Sequence, residues 1–155
     1  MRENHNFLVT VEWTGNRGFG TSTYKSYTRD HEIGAEGKPI VPGSSDPAFR
    51  GDASRYNPEE LLIAALSACH MLSYLHLCAS NQVVVTTYRD SASGVLHLDP
   101  DGGGKLTSVT LRPKVSITPG SDPEMAMSLH SEAHRLCFIA NSVNFVVLHE
   151  AEIVK

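Results

Sequence analysis

Cysteine is scarce in this sequence, with three residues in 155. So few cysteines do not form a structural disulfide framework; in a reducing compartment they are buried small residues, metal ligands or redox thiols. Positive charge is not in excess either. The net charge of −4 gives no indication of a nucleic-acid or membrane-surface partner. No basic, apolar leader opens the chain, so we expect a cytosolic protein.

A run long and apolar enough to span a membrane is not expected. Residues 61–77 are interrupted by serine, histidine and tyrosine, whereas a spanning helix needs roughly 20 mostly apolar residues. Internal repeats and low-complexity segments are also missing. The length predicts a single domain over residues 1–155, or one intertwined unit of an oligomer.

The most informative stretch runs from Asn57 to Asn81. Asn57 is a good N-cap, Pro58 suits the first helical position, and Glu60 completes a capping box. The apolar residues 61–66 then cover every side of the helix, which predicts that it is buried on most faces.

Strands are predicted on both sides of this helix. Residues 7–13 alternate as a half-buried strand, and the Thr- and Tyr-rich residues 20–28 should pair back as a hairpin. Residues 29–56 are irregular, with a short strand near Ile40, and a loop this long is as often functional as it is a plain excursion.

Beyond the helix, the pattern predicts further strands and one more helix. A capping box at residues 121–124 begins a helix that extends to about Ala140. The order of elements predicts an α+β fold, with antiparallel sheets packed on a long buried central helix and a second, cysteine-bearing helix. The predicted strands are 83–88, 93–98, 105–118 and 143–154.

Each cysteine has an inert and a functional interpretation. Cys69 lies in the middle of an apolar helix, far from the helix N-terminus, so it is inert unless another segment supplies a cation. Cys78 is read as an ordinary core or surface thiol. Cys137 follows His130 and His134 at helical spacing, a pattern that could bind zinc, but it supplies only three ligands. We therefore expect no metal and no cofactor.

Two glutamates open the central helix. Glu59 stands ten residues before Cys69, about 15 Å along a straight helix axis. Glu59 and Glu60 are ordinary helix-start carboxylates by position, yet one can cap the helix while the other holds a cation.

Two segments resemble the cysteine motifs of the OsmC/Ohr family of thiol-dependent peroxidases. The first runs from Asn57 through Ala65 to Ser67-Ala68-Cys69-His70, and the second is Ala133-His134-Arg135-Leu136-Cys137. The separation of 68 residues between the two cysteines and the order of elements are also similar to that family. The resemblance covers most of the chain from Val9 onward.

The resemblance implies a set of catalytic residues. Cys69 takes the peroxidatic role and Cys137 the resolving role. The family glutamate falls on Glu59, and the family arginine, in the turn between the first two strands, falls on Arg17. Glu59 then holds the guanidinium of Arg17, which stabilises the Cys69 thiolate.

The sequence departs from the family pattern in three respects. Phe138 follows Cys137, where the family usually has proline. The segment 43–56 is longer and more distinctive than in the best-known peroxidase members, and its Arg50 and Arg55 are rival cations close in sequence to Glu59. These departures are compatible with an OsmC-like subgroup whose substrate differs.

The implied function is reduction of organic (alkyl or lipid) hydroperoxides by a cytoplasmic homodimer. Leu62, Leu66 and Leu72 are expected to line an apolar pocket for such a substrate. The expected partners are a small-molecule hydroperoxide and a dithiol reductant, for which the family suggests a dihydrolipoyl protein; nucleic acid and membrane are not expected. The alternative is a non-enzymatic module of the same fold that binds a small hydrophobic ligand.

Overall fold

The structure, a computed structural model, describes residues 4–154. The chain forms two compact units, one ending at Leu61 and the other beginning at Leu62. This boundary falls in the first turn of the long helix α1, Pro58–Ser80. That residues 1–155 behave as a single domain remains a prediction.

The first unit contains one three-stranded antiparallel sheet. Its strands follow one another in chain order, and Thr10 pairs with Gly34 at one end of the first pair. The strands are β1 Thr10–Trp13, β2 His31–Gly34 and β3 Val41–Gly43. The short strand predicted near Ile40 is therefore present as β3.

The hairpin predicted from residues 20–28 is right only at its end: Tyr27 pairs antiparallel with Asn16, and the Thr28 N–H donates to the Gly15 carbonyl at 3.0 Å. The main partner of β1 is β2, and residues 20–26 form turns instead of a strand. The intervening residues satisfy their polar groups locally. The Asn16 side chain accepts hydrogen bonds from the backbone N–H groups of Gly18 and Gly20, at 2.9 and 3.0 Å. The Ser26 hydroxyl bonds the Gly20 and Thr23 carbonyls. Local side-chain bonds of this kind compete with a strand ladder.

Strand β1 was predicted to be half-buried, but all four of its residues are exposed. It lies at the edge of its sheet. The apolar side chains leading into it are also exposed, with Phe7 at 90% and Leu8 at 84%. An apolar edge strand is a surface that native proteins normally cover.

The segment 43–56 folds back on itself. Gly43 and Tyr56 form a parallel bridge at its two ends, and the Ser44 backbone N–H donates to the Tyr56 carbonyl at 2.9 Å. Between them lies a 3₁₀ turn, Pro47–Phe49, capped by the Asp46 side chain. The buried Ser44 hydroxyl donates to Asp30 at 3.1 Å.

The second unit contains two three-stranded sheets, the second helix and α1 from Leu62 onward. One sheet has the order β4-β7-β9 and the other β5-β6-β8, and the pairs β6–β8 and β7–β9 are parallel. The strands are β4 Val85–Asp90, β5 Ser93–Leu98, β6 Gly104–Leu111, β7 Pro113–Ile117, β8 Val146–His149 and β9 Glu152–Val154. The α+β prediction is confirmed, with mixed rather than purely antiparallel sheets.

Two segments predicted as single strands each divide between the sheets. The predicted strand 105–118 divides at Arg112, whose backbone N–H donates to the Asp90 side chain instead of to a neighbouring strand. The next residue, Pro113, has no N–H to donate. The last segment breaks after His149, where the Glu150 N–H donates to the Leu111 carbonyl at 2.8 Å. Periodicity alone does not reveal such a change of sheet.

Helix α1 is apolar on all sides but buries only one stripe within the chain. The buried residues are spaced by four: Leu66, His70, Tyr74 and Cys78. Ala64, Ala68 and Leu72, on the opposite side, are exposed, Leu72 at 63%. The helix is long and apolar enough to span a membrane by length and composition, with 22% of its most apolar window buried. The sequence interpretation had judged this run too interrupted for that.

The second helix, α2, extends over Pro123–Leu136. Its N-cap is Asp122, which accepts from the backbone N–H groups of Glu124 and Met125. Ser121, the cap expected from the sequence, instead accepts from the Val84 N–H at 2.8 Å. The helix ends before the predicted Ala140 because Cys137 adopts an extended conformation, with ψ at 112°.

Candidate active site

Cys69 and Cys137 are neighbours in the second unit, and both are free thiols. Cys69 comes from the middle of α1 and Cys137 from the residue that ends α2. The Cys69 side chain is partly accessible, whereas Cys137 is 1% exposed. The arrangement thus pairs a thiol that a small molecule can reach with one that solvent barely reaches.

The surroundings of Cys137 keep it protonated. Burial is the main reason that its pKa rises to about 11, and the neighbouring Cys69 thiol acts in the same direction. The Ala140 N–H, which donates to Cys137 Sγ at 3.4 Å, opposes the rise. Cys137 is therefore a thiol, not a thiolate, at neutral pH.

Cys78 lies elsewhere in the same unit. It is 1% exposed and packs in an apolar cluster with Tyr74, Val83 and Val115. Burial raises its pKa. These surroundings are those of a core residue.

The helices α1 and α2 are also joined by a pair of buried histidines. His70 Nε2 and His130 Nδ1 are 3.0 Å apart, and the Tyr74 ring stacks on His130 at 3.9 Å. The sequence interpretation gave His70 no role and took His130 only as a weak zinc ligand. The signal it missed is the helical spacing of His70 with Tyr74, four residues apart.

The possible zinc ligands do not converge on a common point. Among residues 4–154, no group of three or more histidine, cysteine, aspartate or glutamate side chains is arranged to hold a metal ion. The helical row His130, His134, Cys137 is used instead for the histidine contact and the thiol pair described above.

The two predicted charged site residues, Arg17 and Glu59, belong to the first unit. Arg17 is exposed and forms no ion pair with any residue that the structure describes. Glu59 lies in the first turn of α1 and is partly buried. Their catalytic roles remain predictions.

The rival arginines have partners within the first unit. Arg55 lies 4.0 Å from Asp30 and 3.7 Å from Asp52. Arg50 has a left-handed backbone, with φ at 65°, and its guanidinium lies 6.0 Å from the centre of the Tyr24 ring. Of these three arginines, Arg55 forms ion pairs, whereas Arg17 and Arg50 form none with the residues that the structure describes.

Glu60, rather than Glu59, caps α1. The Glu60 carboxylate accepts from the Asn57 N–H at 3.1 Å, and the Asn57 side chain accepts from the Glu60 N–H at 2.8 Å. The capping box was predicted from the sequence and is confirmed. The Glu59 carboxylate is therefore not needed for the cap.

The apolar lining expected from three leucines is only partly right. Leu66 is fully buried and packs with Val109, Leu111 and Val147, so it belongs to the core and cannot line a pocket. Leu62 is half-buried, and Leu72 is exposed. Leu66 lies on the buried stripe of α1 with His70, Tyr74 and Cys78, whereas Leu72 lies on the opposite, exposed side of the helix.

Comparison with known proteins places this arrangement in a family. A family model described as OsmC-like protein matches residues 51–150, which include both α1 and Cys137. The chain belongs to the OsmC-like family. The fold and family expected from the two cysteine motifs are therefore confirmed. A search of curated protein sequences gave no match.

Solved structures of OsmC-like proteins share the whole fold. A Vibrio cholerae OsmC-like protein of unknown function is 32% identical, with a TM-score of 0.86 over 96% of this chain and 100% of that one. An organic hydroperoxide resistance protein from Legionella pneumophila is 18% identical, with a TM-score of 0.70 over 99% and 100%. The organic hydroperoxide resistance protein OhrB of Bacillus subtilis is 21% identical, with a TM-score of 0.64 over 97% and 98%.

Proposed function

We propose that this OsmC-like protein is a cysteine-based peroxidase that reduces organic hydroperoxides. The observation that carries the proposal is the pairing of a partly accessible thiol, Cys69, with a buried neighbouring thiol, Cys137. The names of the Legionella and Bacillus structures, as organic hydroperoxide resistance proteins, support it.

The proposed reaction has two steps. The Cys69 thiolate attacks the distal peroxide oxygen, the O–O bond breaks, and Cys69 becomes a sulfenic acid. The alkoxide leaves as the alcohol by taking up the proton that the Cys69 thiol lost on ionising. Cys137 then attacks the Cys69 sulfur, the S–O bond breaks, and water leaves as the disulfide forms. A dithiol reductant, for which a dihydrolipoyl protein is our candidate, returns both cysteines to thiols.

Arg17 and Glu59 are proposed to favour the first step. A guanidinium near a sulfur stabilises its thiolate, and a carboxylate fixes the guanidinium through paired hydrogen bonds. Two findings are compatible with this choice: Arg17, like Arg50 but unlike Arg55, forms no ion pair with a described residue, and Glu60 rather than Glu59 forms the helix cap.

We also propose that the protein is a homodimer. Helix α1 exposes the stripe Ala64, Ala68 and Leu72, opposite its buried side, and β1 exposes apolar side chains at a sheet edge. Contiguous exposed apolar patches commonly mark protein–protein contacts. A second copy of the chain is the partner that we propose for each of these surfaces. Sedimentation of a stable monomer at micromolar concentration would refute the dimer.

A non-enzymatic binding module is the second candidate. It is favoured by an open cleft of about 580 Å³ in the second unit. Its lining combines apolar and polar side chains: Leu106, Val143, Phe145 and Val146 with Lys105, Thr107 and Asn144. The apolar part would suit a small hydrophobic ligand, and in this case the cysteines serve only in packing.

Thiol titration with an alkyl hydroperoxide separates the two candidates. We expect one equivalent of peroxide to consume two thiols, and mass spectrometry to show a disulfide between Cys69 and Cys137. Hydrogen peroxide at the same concentration should react more slowly. If all three thiols survive the organic peroxide, the protein is not a peroxidase and the binding module is favoured.

A further inference from the structure

The segment 14–29, which joins β1 to β2, concentrates positive charge in the first unit. It contains Arg17, Lys25 and Arg29 and no aspartate or glutamate, whereas the whole chain has a net charge of −4. Tyr24 and Tyr27 stand next to these cations along the chain. A cationic and aromatic segment is thus set into a chain that is acidic as a whole.

Hydrogen bonds hold this segment in a defined shape. Asn16 pairs antiparallel with Tyr27, and the Thr28 N–H donates to the Gly15 carbonyl at 3.0 Å. The Trp13 indole N–H donates to the Thr28 carbonyl at 2.8 Å, and the Trp13 ring meets the Tyr27 ring edge-on, with 5.8 Å between their centres. The cations of the segment are therefore carried by an ordered base.

Two arginines lie over the tyrosine rings of this region. The Arg29 guanidinium is 4.2 Å from the centres of both the Tyr24 and the Tyr27 rings. Its Nη1 and Nη2 donate to the Tyr27 and Tyr24 carbonyls, at 2.9 and 3.0 Å. Arg50, from the segment 43–56, lies 6.0 Å from the centre of the same Tyr24 ring. Tyr24 thus brings two guanidiniums within about one Debye length of each other, where their charges repel.

Carboxylates of the first unit do not neutralise these cations. Within residues 4–154, no ion pair includes any of the four cations Arg17, Lys25, Arg29 and Arg50. The nearby acids have other partners. Asp46 caps the 3₁₀ turn, and Asp52 accepts from the Ser54 N–H at 2.8 Å. Asp30 accepts from Ser44. The positive charge is therefore open to an anion of another molecule.

Most of these side chains are accessible. Lys25 and Arg50 are exposed, and Tyr24 is 58% exposed. Arg29 is half-buried against its two rings and supports them. Arginine and tyrosine are among the residues enriched at protein–protein contacts, where they contribute much of the binding energy.

We propose that a basic surface of the first unit docks an acidic peptide segment of a partner protein. This basic surface consists of Tyr24, Lys25, Arg29 and Arg50. The exposed guanidinium of Arg50 offers paired N–H donors to a carboxylate, and Lys25 adds a point charge. Arg17 lies on the same segment but is assigned above to the thiol, so the basic surface is defined without it. The proposal goes beyond the peroxidase function and does not depend on it.

The ring contacts favour an acidic peptide over a nucleic acid. A nucleobase needs an open ring face on which to stack, and guanidiniums already lie over Tyr24 and Tyr27. Two exposed cations are also few for a phosphate backbone or an anionic bilayer, which larger basic clusters bind. A short run of acidic residues matches the small number of charges on this surface.

The test compares charge reversals on and off the basic surface. Lys25→Glu and Arg50→Glu change its two exposed cations. Lys38→Glu is the control, because it makes the same change of charge at an exposed lysine of the first unit outside the basic surface. Fluorescence anisotropy follows binding of a fluorescein-labelled decaglutamate peptide at low and at physiological salt. A ten-nucleotide single-stranded RNA and phosphatidylglycerol vesicles are measured in parallel.

We expect the wild type and Lys38→Glu to bind the peptide alike at low salt. Lys25→Glu and Arg50→Glu should each bind it at least about fivefold more weakly, because reversal replaces an attraction by a repulsion. The three variants have the same net charge, so a difference between them reports the location of the bound peptide. Physiological salt should weaken binding, because the charges are exposed.

A zero-length cross-link locates the peptide on the wild type. Carbodiimide joins a carboxylate to an amine that it contacts, so mass spectrometry should find the peptide on Lys25 and not on Lys38. Should Arg50→Glu not fold, Lys25→Glu and this cross-link decide. Equal affinities of the variants, coupling at Lys38 alone, or no binding at low salt would overturn the proposal. Tighter binding of the RNA or the vesicles than of the peptide would also overturn it, by assigning the surface to another class of partner.

Discussion

Cys69 and Cys78 lie nine residues apart on the same helix, but their surroundings differ. Cys69 is partly accessible and has a second thiol as its neighbour. Cys78 is 1% exposed among apolar side chains, where burial raises its pKa. The comparison shows that the neighbours brought by α2 and the sheets, rather than the helix itself, distinguish a candidate redox thiol from a core residue.

The sharpest test of this comparison is loss of each thiol. We expect Cys69→Ser to abolish turnover of an alkyl hydroperoxide, because serine cannot form a sulfenic acid. Cys78→Ser, as the matched control, should retain turnover within a few-fold of the wild type. Steady-state peroxide consumption measures both. Similar losses from the two substitutions would mean that the thiols are wrongly assigned.

Between the two cysteines, α1 also carries a buried titratable side chain, because His70 pairs with His130 of α2. The pKa values of His70 and His130 are lowered to about 4 and about 3 in the folded protein. Below pH ~6.5 the unfolded chain therefore binds protons that the folded chain does not yet bind. The free energy of unfolding should fall as the pH drops from ~6.5 towards 4, by at most about 1.4 kcal/mol per pH unit for each histidine.

Urea unfolding at pH 7, 6 and 5 measures this dependence. His130→Gln should remove part of the slope, whereas His76→Gln should keep it. A free energy of unfolding that is constant between pH 7 and 5 would show that the buried pair is not held neutral.

Substitution of Cys78 should reduce stability more than substitution of Cys69, the reverse of their expected effects on activity. Cys78→Ser places a hydroxyl in an apolar cluster, which costs about 1–3 kcal/mol unless it finds a hydrogen-bond partner. Cys69→Ser, at a partly accessible position, should cost less than about 1 kcal/mol. Denaturant titration of both variants gives the difference. If Cys69→Ser proves the more destabilising, the assignment of Cys78 to the core is in error.

The smallest expected effect concerns the cation near Cys69. Arg17→Ala should slow alkylation of Cys69 about tenfold at pH 7, equivalent to about 1.4 kcal/mol of lost thiolate stabilisation. Arg50→Ala and Arg55→Ala should alkylate Cys69 at nearly the wild-type rate. The alkylation rate of Cys78 should not change in any of the three variants. The pH dependence of alkylation, read by peptide mass spectrometry, is the measurement. A slower rate only in Arg50→Ala or Arg55→Ala would transfer the role to that arginine.

Much of the helical part of the molecule was predictable because its signals are local. The capping box of Asn57 and Glu60 and the start of α1 lie within a few residues, and they are confirmed. The two cysteine motifs identified the family, which the family match confirms. The hairpin predicted at residues 20–28 is formed mainly by residues 27–34, because propensity does not reveal which partner a strand will find.

The sequence by itself determined the start of α1, the class of fold and the two motif cysteines, since each depends on spacing along the chain. Only the tertiary structure decided the rest. It split residues 105–118 and 143–154 between two sheets, placed Leu66 in the core and brought Cys137 beside Cys69. It also joined His70 to His130, which are 60 residues apart. These outcomes depend on contacts between distant segments, and chain periodicity carries no information about which segments will meet.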